Sequence, residues 1–243
     1  MRFVLQLAGL FVGVNSISWE FMSECGKYLA PNIEKTDFEI SWSEKEMWEE
    51  ALIVQKEDGH APAPDAIEGL TAFKKITNQV LTFSTFLMHG AVVAVDFKTS
   101  FMFTAKSGTG KTTHIRKWLE NAPGAFVVNG DKPLIKIAGE EAIAYGTPWC
   151  GKEHLNTNIG VPLRAIVLME RSEDNAIEEI TFSQAFPTLL QQTYRPADAD
   201  KMRKTLSLLS ALNGKMKFYR FRFNNLKPDA FRVSYEALTG KRI

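Results

Sequence analysis

The chain has 243 residues, 45% of them hydrophobic and 23% charged, with a formal net charge of +1. This balance predicts an ordinary globular protein with one large or two small domains. The near-neutral charge argues against a nucleic-acid or membrane-surface partner, and no window reaches the roughly 18 apolar residues that a membrane-spanning helix needs. Two cysteines, Cys25 and Cys150, are too few for a disulfide framework and lack metal-ligand spacing. We therefore expect a cytoplasmic protein.

The N-terminal part predicts short strands and a helix. Residues 3–14 alternate loosely around two glycines, which predicts two strands joined by a turn. Residues 38–52 predict a third strand followed by an acidic helix. Two prolines and a glycine within 58–65 then predict a surface connection. We accordingly place a small N-terminal α+β part at 1–65, either separate or packed into the same domain, and a second domain at 66–243.

The second domain begins with an amphipathic pattern. Apolar residues recur every three or four positions from 66 to 86, which predicts a helix that His89 and Gly90 end. Two apolar runs, 91–95 and 100–104, follow with a turn-like sequence between them. They predict a hairpin whose second strand leads into the most informative stretch of the sequence.

Residues 105–112 have the pattern A-x-x-x-x-G-K-T, a Walker A phosphate loop with alanine in place of its first glycine. A strand pattern precedes it and a helix pattern follows, as the motif requires. The glycines let backbone N–H groups turn inward, where they and the positive end of the new helix bind phosphates. Lys111 would contact the β- and γ-phosphates of ATP, and the Thr112 hydroxyl would bind Mg²⁺. The predicted nucleotide-binding residues here are Ser107, Gly108, Thr109, Gly110, Lys111, Thr112 and Thr113.

The strand predicted at 125–128 ends in Asn129, Gly130 and Asp131. An acidic residue at the end of the strand beside a phosphate loop can hold Mg²⁺ or take a proton from an attacking hydroxyl. The same tripeptide is also ordinary turn chemistry. The position relative to the loop favours a functional role for Asp131.

From residue 88 to residue 131 the order of motifs resembles HPr kinase/phosphorylase and the wider group of HPr-kinase-like proteins. The shared features are a His-Gly pair at His89, a hairpin, the loop Ser-Gly-Thr-Gly-Lys-Thr-Thr, a short helix and a strand ending in Asp131. That group shares its nucleotide-binding fold with phosphoenolpyruvate carboxykinase. The resemblance, which is looser elsewhere, implies the α/β class, with a P-loop core of mixed sheet plus helices, and an ATP- and Mg²⁺-dependent kinase.

The resemblance also implies roles for individual residues. In such kinases the histidine lies beside the catalytic acid, and the strand after the loop ends in two aspartates. His89 matches the histidine and Asp131 the second aspartate, whereas Gly130 stands where the first would be. The implied catalytic residues are Asp131, His89 and Lys111, and His89 could relieve the missing carboxylate by accepting or orienting a proton. A histidine that caps the preceding helix is the structural alternative.

Two further site residues rest on looser parts of the resemblance. The group has a metal-binding glutamate in about the part of the chain where the loop 144–154 carries Glu153, so the implied metal ligands are Thr112, Asp131 and Glu153. It also has an arginine that contacts the phosphates, near the place of Arg195. An ordinary surface loop and an arginine at a helix terminus are the structural alternatives.

The rest of the chain predicts two further strands and three helices. Strands are predicted at 161–169 and 217–223, and helices at 180–194, 199–212 and 228–238.

The predicted function is transfer of the γ-phosphate of a nucleoside triphosphate to a hydroxyl of a protein, peptide or small metabolite. A module that binds ATP without chemistry is the alternative, and Gly130 in place of an acid supports it. A phosphoenolpyruvate carboxykinase is a third candidate, but the chain is much shorter than those enzymes and shows no counterpart of their metal-binding lysine and histidine. The sequence identifies neither the hydroxyl acceptor nor the oligomeric state.

Overall fold

The structure is a computed structural model that describes residues 1–60, 62–106 and 108–242. The chain divides into two compact units, Met1–Phe83 and Ser84–Ile243. None of the helices in these described ranges is long and apolar enough to cross a membrane.

The first unit is a small three-stranded sheet with helices. The strand order is β1-β2-β3, with β1 antiparallel to β2 and β2 parallel to β3. Alternate residues of β3 are buried, as expected for a strand with one face in a core. In β1, by contrast, the successive residues Phe3, Val4 and Leu5 are all buried. The elements are β1 (Arg2–Leu7), β2 (Leu10–Asn15), α1 (Trp19–Glu24), β3 (Phe38–Ser41), α2 (Glu44–Asp58) and α3 (Pro64–Gln79).

The structure corrects the predicted boundary at residue 65, because α3 belongs to the first unit. This helix contacts α1, α2 and β3. Its Glu68 is buried and accepts hydrogen bonds from the Ile17 backbone N–H (2.7 Å) and the Trp42 indole N–H (3.0 Å). A buried carboxylate needs such donors to offset the loss of its hydration. The prolines near residue 63 therefore join two helices of one unit.

The second unit is built on a mixed sheet, which has nine strands within the described residues. Its main path is β4-β8-β9-β10-β6-β5-β7, and β12 pairs with both β10 and β11. The pairs β10–β6 and β10–β12 are parallel, and the other pairs are antiparallel. The strands are β4 (Thr85–Leu87), β5 (Ala91–Asp96), β6 (Thr99–Thr104), β7 (Phe126–Asn129), β8 (Leu134–Ala138), β9 (Glu141–Tyr145), β10 (Gly160–Arg171), β11 (Ala176–Ile180) and β12 (Lys217–Phe223).

Four helices accompany this sheet: α4 (Lys111–Asn121), α5 (Phe182–Gln192), α6 (Ala199–Ser210) and α7 (Ala230–Thr239). The core beneath α4 and α7 is aromatic, and the fully buried Trp118 lies at its centre. Its ring contacts Phe101, Phe103, Phe231 and Tyr235 at centroid distances of 5.5–5.7 Å. This packing fixes α4 against β6, the strand from which the candidate phosphate loop emerges. The predicted α/β class with a mixed sheet and helices is confirmed.

Several element predictions differ from the structure. The helix predicted at 66–86 ends at Gln79, and a short 3₁₀ turn and strand β4 follow it. Ser84 has a φ of 53°, a left-handed conformation that no helix continues through. The helix predicted at 180–194 is α5 preceded by strand β11, whose last residue is Ile180.

Candidate functional site

The loop between β6 and α4 holds two glycines in the left-handed backbone region. Gly108 has a φ of 75°, and Gly110, immediately before α4, has a φ of 115°. A side chain is strained at such angles, so the turn into the helix requires glycine. Strand, loop and helix follow one another as the motif predicts. Ser107, one of the predicted phosphate contacts, lies outside the described residues.

Side chains from two other strand ends hold the carbonyl groups of this loop. Arg171, the last residue of β10, donates Nε to the Thr109 carbonyl (3.2 Å) and a terminal nitrogen to the Gly108 carbonyl. Asn225, just after β12, donates its amide to the Gly110 carbonyl (3.2 Å). The two groups of a planar trans peptide point in opposite directions. These bonds therefore prevent the carbonyls from turning toward an anion on the other side of the loop.

The loop borders a cavity of about 440 Å³, which we call cavity A. Gly108, Thr109 and Gly110 form part of its wall. Thr109 also braces the loop, because its hydroxyl donates to the Lys106 carbonyl (2.7 Å). Thr113 is not among the residues that line cavity A. Five other predicted side chains do line it: His89, Lys111, Thr112, Asp131 and Glu153.

Three of these side chains form a connected group. His89 Nε2 lies 3.0 Å from Asp131 Oδ1 and 3.4 Å from Lys111 Nζ. Its other ring nitrogen, Nδ1, lies 2.8 Å from the side-chain oxygen of Gln192. When Nδ1–H donates a hydrogen bond to Gln192, Nε2 of the neutral ring can accept from Lys111, whereas Nε2 of the doubly protonated ring donates to Asp131. No helix precedes His89, because Thr85–Leu87 is strand β4, so the helix-cap alternative does not apply.

Asn129 positions Asp131 in this group. The buried Asn129 side-chain oxygen accepts from the backbone N–H groups of Asp131 (2.9 Å) and Lys132 (2.7 Å). The amide nitrogen of Asn129 donates to the Thr147 carbonyl (3.1 Å). The turn chemistry of the tripeptide thus belongs to Asn129, and the Asp131 carboxylate is left to face the cavity.

The electrostatics of the cavity keep Asp131 ionised. Burial by itself would raise the pKa of Asp131. The hydrogen bond with His89 and the charge of Lys132, 3.1 Å away, outweigh this effect and lower the pKa to about 2. Burial lowers the pKa of Lys111 below its usual value, and the negative charge of Asp131 partly opposes this shift. The ionised Asp131 carboxylate is a suitable ligand for a hard cation such as Mg²⁺.

Gly130 lies under the 146–155 loop, which closes one side of cavity A. Its N–H donates to the Leu155 carbonyl (2.9 Å). A Cβ at position 130 would lie 3.0 Å from the Cys150 carbonyl oxygen and 3.3 Å from that of Leu155. An aspartate here would require this loop to move. The chain therefore has one strand-end carboxylate at this place.

Within the described residues, no group of three or more His, Cys, Asp or Glu side chains is arranged to hold a metal. A Mg²⁺ ion needs less, since it commonly binds through one or two carboxylates together with substrate phosphates and water. Thr112 and Asp131 line the same cavity and fit that requirement. Glu153 lines it too, but its carboxylate pairs with Arg116. The predicted role of Glu153 would require this ion pair to break.

Arg195 is exposed and is not among the residues that line cavity A. Its neighbours instead run beside the His89 segment: the Tyr194 N–H donates to the Leu87 carbonyl (3.0 Å), and the His89 N–H donates to the Gln192 carbonyl (2.7 Å). The structure thus brings Gln192 to the cavity histidine. The phosphate contact predicted for Arg195 stays a prediction.

Sequence reasoning missed Gln192, Arg171 and Asn225. Arg171 follows the strand predicted at 161–169, and the carboxyl ends of parallel strands are where α/β proteins bind ligands. That position was the available signal for it. Gln192 and Asn225 carry no local signal, because only the fold brings them to the cavity and the loop.

No protein-family model and no curated protein matches this chain. Among solved structures, the chain is similar to the Hpr(Ser) kinase/phosphatase from Coxiella burnetii, with 10% sequence identity and a TM-score of 0.37. The match covers 62% of this chain and 95% of that chain. A likeness at this level carries no conclusion about fold family or activity.

Proposed function

We propose that this chain is a kinase that binds a nucleoside triphosphate with Mg²⁺ at the 105–112 loop and transfers the γ-phosphate to a hydroxyl acceptor. One observation carries the proposal. The lysine of the loop, the Thr112 hydroxyl and the His89–Asp131 pair line one cavity. Phosphoryl transfer depends mainly on positioning and charge stabilisation, and this set supplies both.

Each side chain has a distinct part in this scheme. The backbone N–H groups at the start of α4 and the Lys111 ammonium hold the phosphate chain. Thr112 and Asp131 would hold the metal, which neutralises charge on the phosphates. With its pKa near 2, Asp131 is a weak base but remains available to orient the acceptor hydroxyl.

The proton of the acceptor has a defined destination. As the bond from the acceptor oxygen to the γ-phosphorus forms and the bond to the bridging oxygen breaks, the hydroxyl proton passes to His89 Nε2. That nitrogen can receive the proton in the neutral tautomer in which Nδ1–H donates to the Gln192 oxygen and Nε2 is unprotonated. Once protonated, Nε2–H can donate to Asp131 Oδ1. The nucleoside diphosphate leaves with the former bridging oxygen. His89 thus takes the role that a second carboxylate at position 130 would have.

The experiment compares phosphate transfer by the full chain and by Lys111→Ala, using ATP with Mg²⁺ and a panel of hydroxyl-bearing peptides and metabolites. Loss of the ammonium should lower turnover at least about 100-fold, while the far-ultraviolet circular dichroism stays unchanged. Lys204→Ala, an exposed lysine on α6, is the matched control and should behave as wild type. Normal turnover in Lys111→Ala would contradict the proposal.

A sensor that binds ATP without chemistry remains a second candidate, and one observation favours it. Both Asp131 oxygens already face donors, His89 at 3.0 Å and Lys132 at 3.1 Å. A carboxylate held in this way could serve only to fix the site. Binding of ATP without turnover on any member of the panel would support the sensor.

A further inference from the structure

A second cavity, of about 430 Å³, lies beside the 105–112 loop, and we call it cavity B. Thr109 and Gly110 line both cavities. The remainder of its wall comes from Thr113 on α4 and from the residues at the ends of β10 and β12. Its volume falls in the range of small-molecule sites.

The position of cavity B in the sheet is a ligand-binding position. Strands β6 and β12 both run parallel to β10, so the carboxyl ends of all three meet at one edge. The loop leaves β6 at this edge, and cavity B lies at the ends of β10 and β12. Open α/β sheets bind ligands outside the carboxyl ends of their strands.

A phosphate chain bound to the loop would run from cavity A toward cavity B. A Walker A lysine reaches the β- and γ-phosphates, and the loop backbone holds the α- and β-phosphates. Lys111 and Thr112 line cavity A, whereas Thr113 lines cavity B. With the γ-phosphate in cavity A, the α-phosphate end of the chain lies toward Thr113. Whatever is attached to the α-phosphate is then directed to cavity B.

The lining of cavity B combines apolar and amide groups. Leu226 is 94% exposed, so its side chain is available to cover a flat apolar ligand. The amide oxygen of Asn225 is buried and has no hydrogen-bond partner within the described part of the chain. Such an acceptor is costly until a donor reaches it. Asn225 lines cavity B, so a rotation of its side chain would present this oxygen to an exocyclic amine or a ribose hydroxyl. Asn224, by contrast, uses its side chain to hold the Leu226 N–H (3.0 Å) and the Glu173 carbonyl (3.2 Å).

We propose that cavity B binds the base and ribose of the nucleotide, with Leu226 against the base. This inference rests on the proposed function, since it concerns the nucleoside attached to the phosphate chain. It assigns the specificity for a nucleotide over a bare polyphosphate to residues outside the Walker A motif. The loop itself would recognise only phosphates.

The test compares ATP with inorganic tripolyphosphate, each titrated with Mg²⁺ into the full chain. Wild type should bind ATP more tightly. Leu226→Ala, which removes an exposed side chain, and Ser172→Trp, which fills cavity B, should each weaken ATP binding by roughly tenfold and leave tripolyphosphate binding unchanged. Phe97→Ala is the matched control, because Phe97 is another exposed apolar residue of the same unit (73%) and lines neither cavity.

The outcomes separate this inference from the proposed function. Equal ATP affinity in wild type and both variants would overturn the inference and leave the kinase proposal standing. A parallel loss of ATP and tripolyphosphate binding would also overturn it, because the residues would then serve only the loop. Binding of neither ligand by wild type would overturn both.

Discussion

The two histidines His89 and His114 lie in different regions: His89 lines cavity A, and His114 lies in the aromatic core beneath α4. His89 is half-buried, and its two nitrogens meet Asp131, Lys111 and Gln192. His114 is fully buried; its Nε2 faces Ser234 and Trp118, and its Nδ1 has no hydrogen-bond partner among the described residues. Both rings make polar contacts. His89 is the candidate proton acceptor because it lines cavity A beside the charged Asp131 and Lys111, whereas His114 is closed off in the core.

The largest expected effect on stability concerns His114. Burial lowers its pKa from 6.5 to about 3, with a smaller contribution from Lys117. Below about pH 6.5 His114 is protonated in the unfolded chain but stays neutral in the folded chain. The folded state is therefore most stable above pH 6.5 and loses stability as the pH decreases toward about 3. We expect the free energy of unfolding to drop by about 2 kcal/mol between neutral pH and about pH 5.

Denaturant titrations at the two pH values would measure this drop. His114→Gln, which keeps a polar side chain but does not titrate, should remove most of the pH dependence, at some cost in stability at neutral pH. An equal pH dependence in wild type and His114→Gln would show that other groups cause it.

The second effect concerns His89 and is functional. His89→Gln should lower the turnover number roughly 100-fold, because no group then receives the hydroxyl proton, while the affinity for ATP stays within about twofold of wild type. A variant with a lower melting temperature, weaker ATP binding and an unchanged turnover number would make His89 a purely structural residue.

Local sequence signals predicted the centre of the site but not its surroundings. The loop, its flanking strand and helix, and Asp131 are encoded within a few dozen residues, and the strand at 217–223 was predicted with its observed bounds. The partners Gln192, Arg171 and Asn225 come from distant segments, and their positions depend on how β10 and β12 pair.

The errors in the predicted elements also have physical causes. The apolar spacing of α3 continues through Val80 and Phe83 into a 3₁₀ turn, so periodicity alone extended the helix too far. The start of α5 could have been found, since Thr181 and Gln184 form a capping box visible in the sequence. Strands β8 and β9 were missed because they are short and lie between loops.

The smallest effect concerns Arg171, which holds the loop from outside. Arg171→Met removes its bonds to the Gly108 and Thr109 carbonyls. We expect roughly tenfold weaker binding of both ATP and tripolyphosphate, in line with about 1–1.5 kcal/mol for such bonds. Titrations of both ligands measure this, with Arg203→Met on the exposed face of α6 as the control. Loss of ATP binding alone would instead place Arg171 with the base and ribose.

Everything proposed for cavity A depends on the 105–112 loop binding a triphosphate. Titration calorimetry with ATP and Mg²⁺, on the full chain and on Lys111→Ala, tests this most directly. We predict saturable binding to wild type and a large loss of affinity in the variant. If wild type bound neither ATP nor GTP with Mg²⁺ present, the proposed triphosphate binding by the 105–112 loop would be wrong.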